Sequence, residues 1–205
     1  MTISGRPGVV RDLDLKTQKL FTKASNLDEI YESQREIGHG SFASVYYAFD
    51  TSNDRQVAIK KMYFAGKGSE EKWSEIIREI KSLSSVQLHE NVIRYFTSHL
   101  WNDCVWICME YCIGSVTDVV DALHPGITEP DIAALILQTL KGLTFLHKKS
   151  IIHRDIKGAN ILLQLQDNAG YAKLGDFGTA STDCPASTFV GTCYWMAPEV
   201  ILGKC

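Results

Sequence analysis

The sequence predicts an α+β chain in two parts: an antiparallel sheet carrying one helix, then a partial, mainly helical half. Three observations carry that prediction. The glycine pair Gly38 and Gly40 is followed by a strand-like run and not by a helix, which excludes a phosphate-binding βαβ unit. Two stretches, 69–85 and 129–148, repeat apolar residues at helical spacing. A short run ending in a permissive glycine, Glu110-Tyr111-Cys112-Ile113-Gly114, separates the strand-rich part from the helical part.

In chain order, residues 1–27 mix Gly, Pro, Lys, Asp, Thr and Ser and read as a flexible leader, although Leu13, Leu15, Leu20 and Phe21 offer apolar groups for docking. Tyr31 to Ile37, Ser44 to Phe49 and Gln56 to Met62 form a meander of three strands, turning at Gly38–Ala43 and at Thr51-Ser52-Asn53-Asp54. A lysine within the apolar run Val57-Ala58-Ile59-Lys60 is costly unless an anion meets it. The helix at 69–85 supplies one. Trp73, Ile76, Ile77, Ile80 and Leu83 make its apolar stripe, and Glu79 borders that stripe, so it can turn inward to Lys60. Two more strands follow at 92–100 and 104–109. A short helix covers 115–124. Thr128-Glu129-Pro130-Asp131 starts a long one, with Ile132, Leu135, Ile136, Leu140, Leu143 and Leu146 as its buried stripe. A hairpin at 161–174 then delivers Gly175-Asp176-Phe177-Gly178, and a polar segment, 179–188, has the composition of a mobile loop.

Composition narrows the class. The chain has 205 residues, 45% hydrophobic and 22% charged, with net charge −3, ordinary for a globular protein and no signature of nucleic-acid binding. No apolar run is long enough for a membrane span. The N-terminus lacks the apolar core of a signal peptide and carries Thr2 where myristoylation needs Gly. A cytoplasmic location is expected. The six cysteines include no Cys-x-x-Cys pair; Cys104, Cys108 and Cys112 read as buried thiols, not as a zinc site.

Chemistry concentrates in His153-Arg154-Asp155-Ile156-Lys157-Gly158-Ala159-Asn160, a polar loop between the apolar runs Ile151-Ile152 and Ile161-Leu162-Leu163. Taken in order, the glycine loop, Val-Ala-Ile-Lys, the helix Glu, His-Arg-Asp, Asp-Phe-Gly and Ala197-Pro198-Glu199 resemble the eukaryotic protein kinase family over about residues 30–205. More closely, Arg35 to Phe42, Val57 to Met62, Glu71-Lys72-Trp73, Met109 to Cys112 and Ser187 to Thr192 are similar to sterile-20-type serine/threonine kinases of the thousand-and-one amino acid (TAO) group.

The resemblance implies a bilobal kinase fold, with the N-lobe at 28–109, a hinge at 110–114 and a partial C-lobe at 115–205. It implies ATP and magnesium as cofactors and protein substrates, among them downstream kinases of a stress-activated cascade. Backbone amides of Gly38, His39, Gly40, Ser41, Phe42 and Ala43 would cover the phosphates. Ile37, Val45, Ala58 and Leu162 would complete the nucleotide site, with Glu110 and Cys112 bonding adenine and Met109 guarding the deeper pocket. Lys60, held by Glu79, would neutralise the α- and β-phosphates. Asp176 and Asn160 would hold magnesium. Asp155 would orient the substrate hydroxyl and accept its proton, and Lys157 would stabilise the γ-phosphoryl group, with Thr192 near the substrate groove. Thr188 would be the phosphorylated loop residue that Arg154 pairs with, with Ser187 and Ser181 as rivals.

The family's pattern is broken at Ala43, which stands for a third glycine, at Cys193, which stands for a proline, and at Gly175, where Ala is common. The kinase fold also implies further helices past Cys205, including an Asp that anchors the catalytic loop and an Arg that pairs with Glu199. The expectation is a fragment with its catalytic side chains on an incomplete scaffold, leaving apolar surface on the helix at 129–148. The alternative is a nucleotide-binding or interaction fragment without phosphotransfer.

Overall fold

A computed structural model describes residues 14–24, 26–40, 43–64, 69–86, 88–101, 103–123, 126–166, 169–182 and 190–203. The chain forms two compact units. One contains the residues up to Lys81 together with Tyr95–Tyr111; the other contains Ser82–Arg94 and the residues from Cys112 onward.

The first unit begins with two single-turn helices, α1 (Leu15–Gln18) and α2 (Leu27–Ile30). Five antiparallel strands follow: β1 (Tyr31–His39), β2 (Ala43–Asp50), β3 (Arg55–Tyr63), β4 (Tyr95–Trp101) and β5 (Cys104–Glu110), in the order β1-β2-β3-β5-β4. Helix α3 (Ser69–Ser85) lies between β3 and β4 in the chain. The centre of the sheet is apolar because Val57, Ile59, Trp106 and Cys108 alternate inward with Leu27, Tyr31 and Ala48. Burial pushes the Cys104 and Cys108 thiols up to about 12. Residues 14–24, expected as free leader, are instead tied to the sheet: the Thr22 N–H donates to Ser98 O (2.8 Å) and Ser98 Oγ donates to Leu20 O (2.6 Å).

The second unit holds β6 (Gly114–Ser115), α4 (Val116–Ala122), α5 (Glu129–Lys148), β7 (Ile161–Gln166), β8 (Ala169–Leu174) and the turn α6 (Pro198–Ile201). Capping boxes start α4 and α5, Ser115 with Asp118 and Thr128 with Asp131, each satisfying helix N–H groups that would otherwise lack partners. The strand expected from Val92 starts only at Tyr95; Val92 forms an isolated parallel bridge with Leu174. The apolar stripe expected on α5 is divided: Leu146 is buried and Leu135 and Leu143 are half-buried, while the rest forms the apolar surface expected on this helix. Ile132, Ile136 and Leu140 are 44%, 50% and 54% exposed. The inward line is Thr139, Gly142 and Leu146, because α5 meets β8 by a polar bond, Ala172 N–H to Gln138 Oε1 (2.9 Å), and by close approach at Gly142. Polarity at Gln138 and Thr139 concealed that face from a periodicity reading.

Candidate active site

In the first unit, register sets the position of Lys60. It sits in β3 opposite Val45 of β2 and Ile107 of β5, so its side chain rises from the middle of the sheet. Glu79 lies on α3 among Ile76, Ile77 and Ile80, all buried. Lys60 Nζ donates to Glu79 Oε1 at 2.7 Å, with the two side chains 16% and 2% exposed. A carboxylate so buried is tolerable only against a cation. The hairpin tip beside this pair is closed by the Gly40 N–H donating to Ala43 O (2.7 Å). Neither Gly38 nor Gly40 has a positive φ, and a Cβ on either would make only ordinary contact. These glycines therefore leave open space and relieve no strain. Ser41 and Phe42 lie outside the described residues. Ile37 is exposed and Val45 half-buried. Ala58 pairs with Tyr47 and Met109, and Glu110 with Val57. In the second unit, Cys112 is half-buried and Leu162 pairs with Ser115 and Lys173.

The polar loop of the second unit converges on Asp155. Its Oδ1 accepts the Thr192 N–H (3.0 Å) and the Thr192 hydroxyl (2.7 Å). Its Oδ2 accepts the Lys157 ammonium (2.9 Å) and the Asn160 amide (3.0 Å). Lys157 also donates to Thr192 Oγ1 (2.7 Å), closing a ring of three residues. The second Asn160 N–H goes to Asp155 O (2.8 Å). Burial raises the Asp155 carboxyl, but the Lys157 ammonium, the Thr192 hydroxyl and the Asn160 amide outweigh it, so the group sits below its ordinary 3.8. It is a carboxylate at neutral pH and a weak base.

His153 was not assigned a role from sequence, yet it organises the loop. It is 1% exposed. Its Nε2–H donates to Gly175 O (2.8 Å), Nδ1 accepts the Asp155 N–H (3.4 Å), and its carbonyl accepts the Thr179 hydroxyl (3.0 Å). Its ring meets the buried Phe177 edge-on at 5.1 Å. Burial holds the imidazole below 6.5 and therefore neutral. Its place at the head of His-Arg-Asp was the only signal the sequence gave.

Two glycines bring the remaining parts together. Gly191 has φ +124, and a Cβ there would sit 2.6 Å from Arg154 O; only glycine lets the chain pass so closely and set Thr192 on Asp155. A Cβ on Gly175 would meet Leu162 Cδ1 at 2.6 Å, which explains the smaller residue before Asp176. Asp176 is exposed, with φ 54, and accepts the Gly178 N–H (3.4 Å). Arg154 has φ 67 and donates from Nε to Thr179 O (2.6 Å). Thr188 and Ser187 lie outside the described residues. Ser181 is buried, both its backbone groups paired with Ile152, so in this conformation it is closed to modification.

A five-stranded antiparallel sheet with a lysine–glutamate pair, and a loop carrying Asp, Lys and Asn within six residues, define the class. A protein kinase domain model matches residues 31–205, and the chain belongs to the protein kinase family. The TAO-group resemblance is borne out by its relatives. Serine/threonine-protein kinase SULU of Caenorhabditis elegans is 48% identical over 197 residues, 96% of this chain and 19% of that protein. Serine/threonine-protein kinase Tao of Drosophila melanogaster is 48% identical over 199 residues, covering 97% and 18%. Serine/threonine-protein kinase TAO2 of Homo sapiens is 46% identical over 202 residues, covering 98% and 16%. The chain thus spans less than a fifth of each of these relatives.

Proposed function

We propose that the chain is a protein serine/threonine kinase domain that transfers the γ-phosphoryl group of magnesium-ATP to Ser and Thr hydroxyls of protein substrates. The observation that carries this reading is the Asp155 carboxylate, held by Lys157, Thr192 and Asn160 at 2.7–3.0 Å.

A weakly basic carboxylate fits a loose transition state, in which the attacking hydroxyl needs orientation more than deprotonation. A substrate hydroxyl takes the place of the Thr192 hydroxyl at Oδ1, and Asp155 accepts its proton late. Lys157 then turns its ammonium to the γ-phosphoryl oxygens, the electrostatic assistance that dominates such reactions. Lys60 neutralises the α- and β-phosphates while Glu79 fixes its position. The donor set suits magnesium: both Asn160 N–H groups are committed to Asp155, which leaves the amide oxygen as the donor, and Asp176 adds an exposed carboxylate. Bound there, the metal would neutralise phosphate charge. The resemblance of the sequence to the TAO group implies substrates among the kinases of a stress-activated cascade. Among the described residues no helix is long and apolar enough to cross a membrane, which is compatible with a cytoplasmic location. Phosphorylation of Thr188, answered by Arg154, would order the loop before Thr192.

The outward apolar line of α5, Ile136, Leu137 and Leu140, favours a second reading: an interaction module that binds nucleotide without phosphotransfer. One assay separates the two. Incorporation of γ-phosphate from magnesium-ATP into a generic basic protein, lost in Asp155→Ala, supports the kinase. A folded, nucleotide-binding chain that incorporates none supports the module.

A further inference from the structure

The Lys60–Glu79 pair joins a strand to a helix, and apolar burial does not by itself fix the angle at which that helix presents Glu79. Ile76, Ile77 and Ile80 determine which face of α3 goes inward, but the hydrophobic effect is non-directional. A turn of about 30° keeps those side chains largely covered. It moves a carboxylate at the helix periphery, roughly 5–6 Å from the axis, by about 3 Å. That displacement exceeds what a 2.7 Å ion pair can absorb.

Segment 14–24 supplies the directional contact. Phe21 stacks on Trp73, in the first turns of α3, with centroids 5.9 Å apart and rings inclined by 22°. Phe64, directly after β3, meets the same indole edge-on at 5.1 Å. Aromatic pairs have preferred geometries and resist rotation. The segment is itself anchored on β4, the edge strand. Thr22 N–H donates to Ser98 O (2.8 Å), Thr97 Oγ1 to Thr22 Oγ1 (2.7 Å), Ser98 Oγ to Leu20 O (2.6 Å) and His99 Nδ1–H to Thr22 O (2.9 Å). Upstream, Asp14 caps α1 through Thr17 and Lys16. The Thr17 backbone N–H chiefly holds its carboxyl below the ordinary value, and Lys81 of α3 makes a smaller contribution of the same sign. The contact that the segment makes with α3 is therefore the stack of Phe21 on Trp73.

We propose that Phe21 and Trp73 are positioning residues for the Lys60–Glu79 pair: segment 14–24 is a strap, fastened to the sheet edge, that sets the rotation of α3. Without the stack the helix stays folded but turns, and Glu79 leaves Lys60. The strap also gives the chain a control point outside the nucleotide site, since anything that peels Phe21 from Trp73 lowers activity.

The test compares Phe21→Ala, the conservative Phe21→Tyr and the control Leu15→Ala, whose side chain is 76% exposed, in the full chain. Lys60 is probed by competitive amine acylation and mass spectrometry, with Lys61 as internal reference. Phe21→Ala should raise Lys60 labelling about tenfold, the scale expected when an ammonium loses its carboxylate, with the melting temperature lowered by no more than about 4 °C. Phe21→Tyr and Leu15→Ala should match wild type. In the phosphotransfer assay Phe21→Ala should lower kcat and raise the KM for ATP, leaving the KM for the protein substrate unchanged. Unchanged Lys60 labelling in Phe21→Ala, or labelling that rises equally at Lys61, overturns the strap. The kinetic arm rests on the proposed kinase reading and the labelling arm does not: the expected labelling in a chain that transfers no phosphate supports the strap and removes the kinase reading.

Discussion

The two charged clusters of this chain are built on different principles. Asp155, Lys157 and Asn160 sit within six residues of one loop, and Thr192 completes their ring through bonds of 2.7–3.0 Å. Asp155, Lys157 and Thr192 each bond the other two, and Asn160 bonds Asp155 twice, so thermal motion that weakens one bond leaves others in place. Lys60 and Glu79 lie 19 residues apart on a strand and a helix, joined at 2.7 Å. Their meeting depends on how one element packs on another. The Asp155–Lys157–Asn160 part of the first cluster is fixed once its loop forms, with Thr192 added from farther along the chain, whereas a pair of the second kind follows every adjustment of its helix. The difference separates a fixed cluster from an adjustable one.

The largest expected effect falls on the fixed cluster. Asp155→Ala should cut phosphotransfer by about 10²–10⁴-fold while the Lys60–Glu79 pair of the first unit stays in place, so that binding of a fluorescent ATP analogue changes little. A large loss of binding in that variant would break the comparison. In the adjustable cluster, the two halves of the pair should differ. Lys60→Met strands a carboxylate 2% exposed, whereas Glu79→Gln strands an ammonium 16% exposed, which water still reaches. Urea melts should show Lys60→Met costing about 3 kcal/mol, and Glu79→Gln clearly less; equal costs would show that burial does not govern the pair.

Next in size come the two close-packed glycines of the second unit. Gly191→Ala combines a left-handed backbone with a Cβ 2.6 Å from a carbonyl and should cost about 1–3 kcal/mol, together with activity, since Thr192 moves off Asp155. Gly175→Ala meets Leu162 at Cδ1 and Cγ, a side chain that can shift, with no positive φ and no backbone atom closer than 3.7 Å, so it should cost less than Gly191→Ala in both measurements. The smallest effect is on pH dependence. Burial depresses both His153 and His99 below 6.5. The unfolded chain binds protons first, so this stability is complete above pH 6.5 and is lost as pH falls through the folded values, by up to about 1.4 kcal/mol per unit of depression. Melts between pH 5 and 8 should show a decline on acidification, and His153→Gln and His99→Gln should each flatten it.

Residue chemistry and spacing were enough to place the Asp155 loop between apolar runs, to pair Lys60 with Glu79, to start α5 at Thr128 and to lay out the first three strands as a meander. Each depends on neighbours in sequence or on a simple period: alternation in β3, a helical stripe in α3, a capping box at α5. The failures share one cause. In α5 Ile132, Ile136 and Leu140 of the stripe face outward while Leu146 is buried, because Gln138 and Gly142 make the contact with β8, and hydropathy does not reveal which of two faces a neighbour will choose. Segment 14–24 looked unstructured because its anchors are backbone groups and hydroxyls on β4, more than 70 residues away. His153 looked like one polar residue among several until Gly175 and Phe177 closed around it.

The sequence by itself determined which charged, hydrogen-bonding and conformationally free groups the chain has at its disposal, because an aspartate, a lysine or a glycine has the same donors, charge and conformational freedom wherever it is placed. Tertiary structure alone decided which of those groups meet: Thr192 at Asp155, Gly191 under Arg154, Phe21 on Trp73. Those contacts join residues distant in the chain. They exist because packing and hydrogen-bond satisfaction are settled over a whole unit at once, and no local pattern contains that information.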